Sequence, residues 1–288
     1  MIKKRPVALI VILLIYILAA ACGYLAFKFF ELNFSLWLSL LLADIAATIV
    51  VFLFSLIFNN ASVYDPYCSV QPPVILGFAL AKAGAGAGAG TGAGAGTMGW
   101  LLFAVVLLWA LRLTSNWAYN FKSFEYQDWR YVMLREKTGR AYPVINFLGI
   151  HLFPTLVVYL CVLPAVTAIA EGAELRPLCL VFLVLSVTTT VFQGIADVQM
   201  HRFRAQGTGG FIRTGLWKKS RHPNYACEIL MWWGIGTASV IALGSRYILL
   251  AGALVNTLMV LFISIPMADK RQSRKTGFDE YKKQTRML

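Results

Sequence analysis

The sequence predicts an all-α, polytopic helical membrane protein, and three observations carry that expectation. Hydrophobic residues make up 59% of the 288-residue chain and charged residues only 14%, against roughly 45–50% and about 25% in soluble domains. The mean hydropathy is +0.68. The apolar residues also gather in runs of about 20, the length that crosses the hydrocarbon core of a bilayer. Together these exclude a soluble enzyme, a disordered chain and a coiled coil.

Eight apolar runs follow one another, at about 7–30, 34–58, 72–90, 98–117, 144–165, 177–199, 226–244 and 247–267. The first has the basic start of a signal peptide but extends from Val7 to about Phe30 without a clear cleavage site, so it reads as a retained span. The third opens well, at Val74-Ile-Leu-Gly-Phe-Ala-Leu, and dissolves into alternating Gly and Ala over 83–97. Each Gly costs about 1 kcal/mol relative to Ala in a helix. The tract is therefore expected as a low-complexity outer turn, with a close-packed small-residue helix as the alternative.

Charge sets the expected orientation. Of 26 basic residues, 21 fall in four clusters: Lys3 to Arg5, Lys122 to Arg140, Arg202 to Arg221 and Lys270 to Arg286. With about eight transmembrane helices, all four clusters lie on the side of both termini, and the positive-inside rule makes that side cytoplasmic. The expected organisation is one integral membrane domain over 1–288, with a two-helix part at 1–58 and the remainder at 59–288. The expected location is the cytoplasmic membrane of a microbe. The net charge of +13 points to anionic membrane lipid or a phosphorylated ligand as the neighbour. Nucleic acid is not expected, because no basic-aromatic signature links the clusters. Five cysteines without a CxxC pair give neither a disulfide framework nor a metal site.

Polar groups inside apolar runs are costly and tend to face a cavity or a partner. Asp44 lies midway along the second run, as a proton donor, a ligand contact or a structural carboxyl between helices. In Gln193-Gly-Ile-Ala-Asp197-Val-Gln-Met-His201-Arg202-Phe-Arg204, Asp197 and His201 share a helical face, with Arg204 one turn further. In Thr214-Gly-Leu-Trp217-Lys-Lys-Ser220-Arg221-His222-Pro223-Asn224-Tyr225-Ala-Cys-Glu228, Pro223 marks a helix start. His222 or Ser220 is expected to cap it. The surrounding cations would make an anion site at the membrane surface, with Asn224 and Glu228 leading inward. The loop Asn59 to Pro73 carries Tyr64, Asp65 and Tyr67, any of which could supply a proton or polarise a carbonyl. Arg112, Asn116 and Asp128 fall at the interface with Trp117 and Trp129; belt aromatics explain the Trp residues, but not Asn116 or Asp128.

The motifs at 60–67, 111–118, 128–131, 196–199 and 214–225, with Phe278-Asp-Glu-Tyr281 near the end, resemble those of the largely uncharacterised microbial membrane branch of the steroid 5-alpha-reductase superfamily. The resemblance runs from about residue 59 to the end. It implies a helical membrane enzyme that binds NADPH at its cytosolic side and transfers hydride to the β-carbon of an enone. On it, Asp197 and Arg204 contact the dinucleotide, and Asn224, Tyr225 and Glu228 lie near the nicotinamide. Arg221 and His222 belong to the same element, while Tyr281 and Asp269 lie in a region closing over the cofactor. Tyr64, Asp65 and Tyr67 are the candidates for the catalytic acid, and the substrate is expected to be a lipophilic small molecule. Two rival readings stand beside this one: an S-adenosylmethionine-dependent membrane methyltransferase similar to isoprenylcysteine carboxyl methyltransferase, and a non-catalytic lipid-binding relative.

Overall fold

In a bilayer every backbone N–H and C=O must be bonded within the chain, and a helix does this locally. The computed structural model describes residues 3–88, 94, 96–207 and 209–288. Its regular elements are all helical, apart from an isolated parallel bridge between Ser220 and Arg286. In chain order they are α1 (Arg5–Phe30), α2 (Leu36–Ile57), α3 (Tyr67–Gly88), α4 (Thr97–Asn120), α5 (Trp129–Thr138), α6 (Tyr142–Ile145), α7 (Phe153–Ala170), α8 (Pro177–Ala205), α9 (Pro223–Leu243), α10 (Ala251–Met259), α11 (Ile265–Gln272) and α12 (Phe278–Gln284). Short π-helical turns, Asn146–Leu152 and Val260–Ser264, join α6 to α7 and α10 to α11.

Among the described residues, seven helical stretches are long and apolar enough to cross a membrane: Arg5–Phe30, Leu36–Ile57, Thr97–Asn120, Trp129–Ala170, Pro177–Ala205, Pro223–Leu243 and Tyr247–Gln272. Their outer faces are apolar, as lipid requires: on α1, Ile10 is 57% and Leu25 67% exposed. The chain is an integral membrane protein. Seven of the eight expected stretches are thus found among the described residues. The third apolar run is helical, yet α3 is not among the seven, because Gln71, Pro72, Pro73, Lys82 and its glycines dilute its apolar character.

The turn expected at 83–97 is corrected in part, since α3 continues through the alternating tract as far as Gly88. Ala has the highest helix propensity, and an open backbone costs more in an apolar environment than an occasional Gly does. Residues 89–93 and 95 of that tract lie outside the described residues.

Two compact units divide the chain: unit 1 is Met1–Gly77 with Leu113–Tyr159, and unit 2 is Phe78–Arg112 with Leu160–Leu288. In unit 1, α1 and α2 pair closely where a Cβ on Gly23 would lie 3.2 Å from the Ala43 carbonyl oxygen. A hydrophobic core of α1 and α2 residues with Tyr64, Tyr67, Phe121, Phe124 and Tyr131 fills the rest. In unit 2, α8 and α9 lie side by side. Both begin with Pro in the first turn, which needs no N–H there. α9 ends at Gly244 with φ 90°, a left-handed conformation that Gly adopts without strain.

Candidate functional site

The α8–α9 seam of unit 2 is held by polar bonds at a fixed interval. Cys179 Sγ donates to Ala238 O at 3.4 Å, Ser186 Oγ to Met231 O at 3.0 Å, and Gln193 Nε2 to Asn224 O at 3.2 Å. Each step is seven residues on both helices, in opposite directions. That is the repeat of an antiparallel pair whose facing stripe stays in register. The packing is tight, since a Cβ on Gly234 would run into the Ser186 hydroxyl and the Phe182 carbonyl.

The last of these contacts opens onto a carboxylate. Glu228, one turn beyond Asn224, accepts from Gln193 Nε2 at 2.7 Å and Trp109 Nε1 at 2.9 Å on one oxygen, and from Trp232 Nε1 at 2.9 Å on the other. The two indole rings meet edge to face at 4.9 Å. Arg112 at the unit 2 end of α4 donates from Nη1 to Asp197 Oδ2 at 2.9 Å, and its Nη2 lies 3.7 Å from Glu228 Oε2. One guanidinium therefore serves two carboxylates on two other helices. Charge-assisted bonds of this kind are the strong ones.

Three polar atoms of this group have no hydrogen-bond partner among the described residues: Arg112 Nε, Arg112 Nη2 and Gln193 Oε1. Gln193 is only 1% exposed. Buried polar groups are nearly always bonded, and an unpaired one calls for a reason.

A second group lies in the loop before α9 and the end of the chain. Arg221 donates from Nη1 to Thr285 O at 2.7 Å and Lys282 O at 3.2 Å, and from Nη2 to Asp269 Oδ2 at 3.2 Å. His222 Nε2 is 2.9 Å from Asp269 Oδ1, and Lys282 Nζ is 3.6 Å from Asp269 Oδ2. Arg221 N donates to Arg286 O at 2.9 Å, and the Tyr281 hydroxyl donates to Trp217 O. These bonds staple α12 onto the 214–222 loop. Burial pulls the pKa of His222 down although Asp269 pulls it up, and burial raises that of Tyr281. The capping role expected of His222 or Ser220 is corrected: neither side chain caps α9, and Ser220 Oγ accepts instead from His222 N at 3.0 Å.

The predicted residues of unit 2 thus fall into two sets. Asp197, Asn224 and Glu228 come together around Arg112 and Gln193. Arg221, His222 and Tyr281 belong to the staple, with the His222 and Tyr225 rings stacked at 5.4 Å. Arg204 is exposed in the last turn of α8. Sequence reasoning left Gln193, Trp109 and Trp232 unassigned. A Gln six residues from the end of an apolar run was a readable sign; two Trp residues in apolar runs were not.

The predicted residues of unit 1 form their own group. The Tyr67 hydroxyl donates to Asp44 Oδ1 at 2.8 Å, and Gln71 Nε2 donates to Asp44 Oδ2. The Tyr64 hydroxyl shares a 2.7 Å bond with Thr155 Oγ1. Asp65 accepts from the Tyr131 hydroxyl, and burial pushes its carboxyl up to about 6 while Arg130 and Tyr131 pull it down. Asp128, unexplained from the sequence, is the N-cap of α5, accepting from Arg130 N at 2.9 Å. Among the described residues no three His, Cys, Asp or Glu side chains gather as a metal site would require.

Comparison with known proteins adds little chemistry. An uncharacterised protein of Schizosaccharomyces pombe, C594.04c, is 29% identical over 152 residues, a match covering 43% of this chain and 43% of that one. The chain thus matches less than half the length of this relative. No solved structure matches. The model of the family described as a protein of unknown function, DUF1295, matches residues 51–285, which takes in α3 to α12 and the polar groups above apart from Asp44 and the Arg286 carbonyl, and the chain belongs to that family.

Proposed function

We propose that this protein is a membrane-embedded, NADPH-dependent reductase of a conjugated carbon–carbon double bond in a lipophilic, steroid- or isoprenoid-like substrate, with both termini cytoplasmic. The reading draws on the motif resemblance to the steroid 5-alpha-reductase superfamily. One structural observation supports it most: the unpaired atoms beside Glu228. A primary carboxamide offers two N–H donors and one acceptor oxygen. Gln193 Oε1 is an acceptor without a donor, and Arg112 Nε and Nη2 are donors that make no hydrogen bond, Nη2 standing 3.7 Å from Glu228 Oε2, which is the complementary set. The residues present therefore fit a nicotinamide ring held by its amide.

NADPH, when bound, would supply the hydride. Glu228 is fixed by two indoles and Gln193, and its part is to orient Gln193 rather than to react. Asp197 holds Arg112 in place. Arg221 bonds Asp269 and the tail through its two Nη atoms and His222 bonds Asp269 through Nε2, so their part is to fix the start of α9. Arg204, Lys218 and Lys219, all exposed, supply the positive charge suited to phosphates. The proton is assigned to Tyr64, Asp65 or Tyr67 on chemical grounds alone.

Fluorescence titration of the purified chain with NADPH tests this. We expect saturable binding, weakened at least tenfold by Gln193→Leu and by Glu228→Gln, and also weakened by Asp197→Ala. Equal affinity in all four proteins would remove the site. Binding of S-adenosylmethionine in place of NADPH would favour a methyltransferase instead.

A further inference from the structure

We infer that unit 1 contains a binding site for the protonated primary amine of a lipophilic molecule, built around Asp44. Asp44 lies midway along α2 and is 6% exposed. Both of its oxygens accept from neutral donors, Tyr67 and Gln71. An ammonium beside it would hold the group as a carboxylate, whose two oxygens can accept further bonds. Among the described residues Asp44 has no ion-pair partner. A charge at this depth is expensive and in membrane proteins is met by a partner or a ligand.

Three further buried acceptors of this unit lack donors: Gln71 Oε1, in a residue 3% exposed, His151 Nε2, in a residue 0% exposed, and Asn146 Oδ1, in a residue 2% exposed. Gln71 Nε2 lies 3.5 Å from Thr155 O, and Thr155 Oγ1 bonds the Tyr64 hydroxyl at 2.7 Å and Thr48 Oγ1 at 3.0 Å. The Tyr64 ring is 4.6 Å from the His151 ring. His151 Nδ1 is 2.9 Å from the Asn146 carbonyl, a bond that requires Nδ1–H and leaves Nε2 as a bare lone pair. His151 also lies in the π-helical turn Asn146–Leu152, a local geometry found often at functional sites.

The group therefore sets a carboxyl that has no cation beside neutral acceptors that have no donor. A primary ammonium brings one positive charge and three N–H donors. An alcohol brings one O–H and no charge. A sodium ion would suit the carboxylate and the amide oxygen but would leave the imidazole nitrogen unmet. Aromatic rings line the group: Tyr16 meets Tyr67 at 5.8 Å, and Phe52 meets His151 at 5.4 Å. Such rings attract an organic cation, and their apolar setting favours a hydrocarbon chain on the amine. This site needs no nicotinamide cofactor, so it stands or falls apart from the reductase reading.

The test is calorimetric titration of the full chain in lipid nanodiscs with octylamine, beside 1-octanol and sodium chloride, without any nucleotide. We expect octylamine to bind saturably and 1-octanol at least tenfold more weakly. Asp44→Asn, which keeps the shape and loses the charge, is expected to weaken the amine at least tenfold, as is Gln71→Met. Equal affinity for amine and alcohol, an unchanged Asp44→Asn protein, or displacement of the amine by millimolar sodium would each overturn the assignment. The amine and alcohol comparison on the unaltered chain decides the matter even if a variant fails to fold.

Discussion

Asp65 shows how burial decides the behaviour of a single side chain. Its carboxyl is pushed from the ordinary 3.8 up to about 6, chiefly by burial, with Arg130 and Tyr131 opposing. The folded chain then holds this proton more tightly than the unfolded chain between about pH 4 and 6, so stability falls as pH rises through that window. Above it the buried charge costs on the order of 2–3 kcal/mol. Asp65→Asn keeps an acceptor for the Tyr131 hydroxyl and removes the charge. Thermal scans should show the unaltered protein gaining stability from pH 7 to 5 and the variant changing much less; parallel curves would contradict the assignment. Legibility at this scale followed the cost of the group. Asp44, Asp197 and Glu228 were visible because a carboxylate in an apolar run is expensive. Trp109 and Trp232 were not, because an indole in an apolar run is ordinary until packing shows its N–H aimed at Glu228. Nor did local sequence show that Arg221 would bond carbonyls some sixty residues later, since that contact exists only once α12 has folded back.

Between residue and molecule stands the α8–α9 pair, which positions Asp197 and Gln193 on one helix and Asn224 and Glu228 on the other. Its register depends on close approach at Gly234, where an added Cβ would meet the Phe182 carbonyl at 2.8 Å and press into Ser186. Carbonyl oxygen cannot move aside as a flexible side-chain end can, so Gly234→Ala must push the helices apart. Overpacking of this kind costs typically about 1–3 kcal/mol, and the loss should appear both in thermal stability and in NADPH affinity as the Gln193–Glu228 bond lengthens. Gly210→Ala is the control, since nothing lies within 4 Å of a Cβ there. Matching melting temperatures for the two variants would deny the seam its role. The apolar runs located these helices well, because hydrophobic length is a strong local signal. The seven-residue polar spacing was present in Cys179, Ser186 and Gln193 all along. It could be read only beside its mirror in Asn224, Met231 and Ala238, all of which contribute main-chain carbonyls that carry no sequence signal. The Gly-Ala tract misled for a related reason: water-based helix propensity undervalues a helix whose backbone has no better partner than itself.

For the whole chain, the remaining question is sidedness, and it turns on α3. Seven crossing helices would leave the two ends of the chain on opposite faces of the membrane, whereas an eighth crossing by α3 would return them to the same face. Three of the four basic clusters lie after α3, and the first lies before it. The positive-inside bias, which acts on short loops and the flanks of spans, is satisfied by all four only if α3 crosses. Lys82, near the far end of α3, does not forbid this, because a long aliphatic stem lets its ammonium reach the interface. Reporter fusions decide it in cells: green fluorescent protein, which fluoresces in the cytoplasm, and alkaline phosphatase, which is active only outside, attached in turn before Lys3 and after Leu288. Fluorescence at both ends with silent phosphatase is the expected outcome. An active phosphatase at either end would mean that α3 lies short of a full crossing, and that one or more basic clusters face outward against the charge rule.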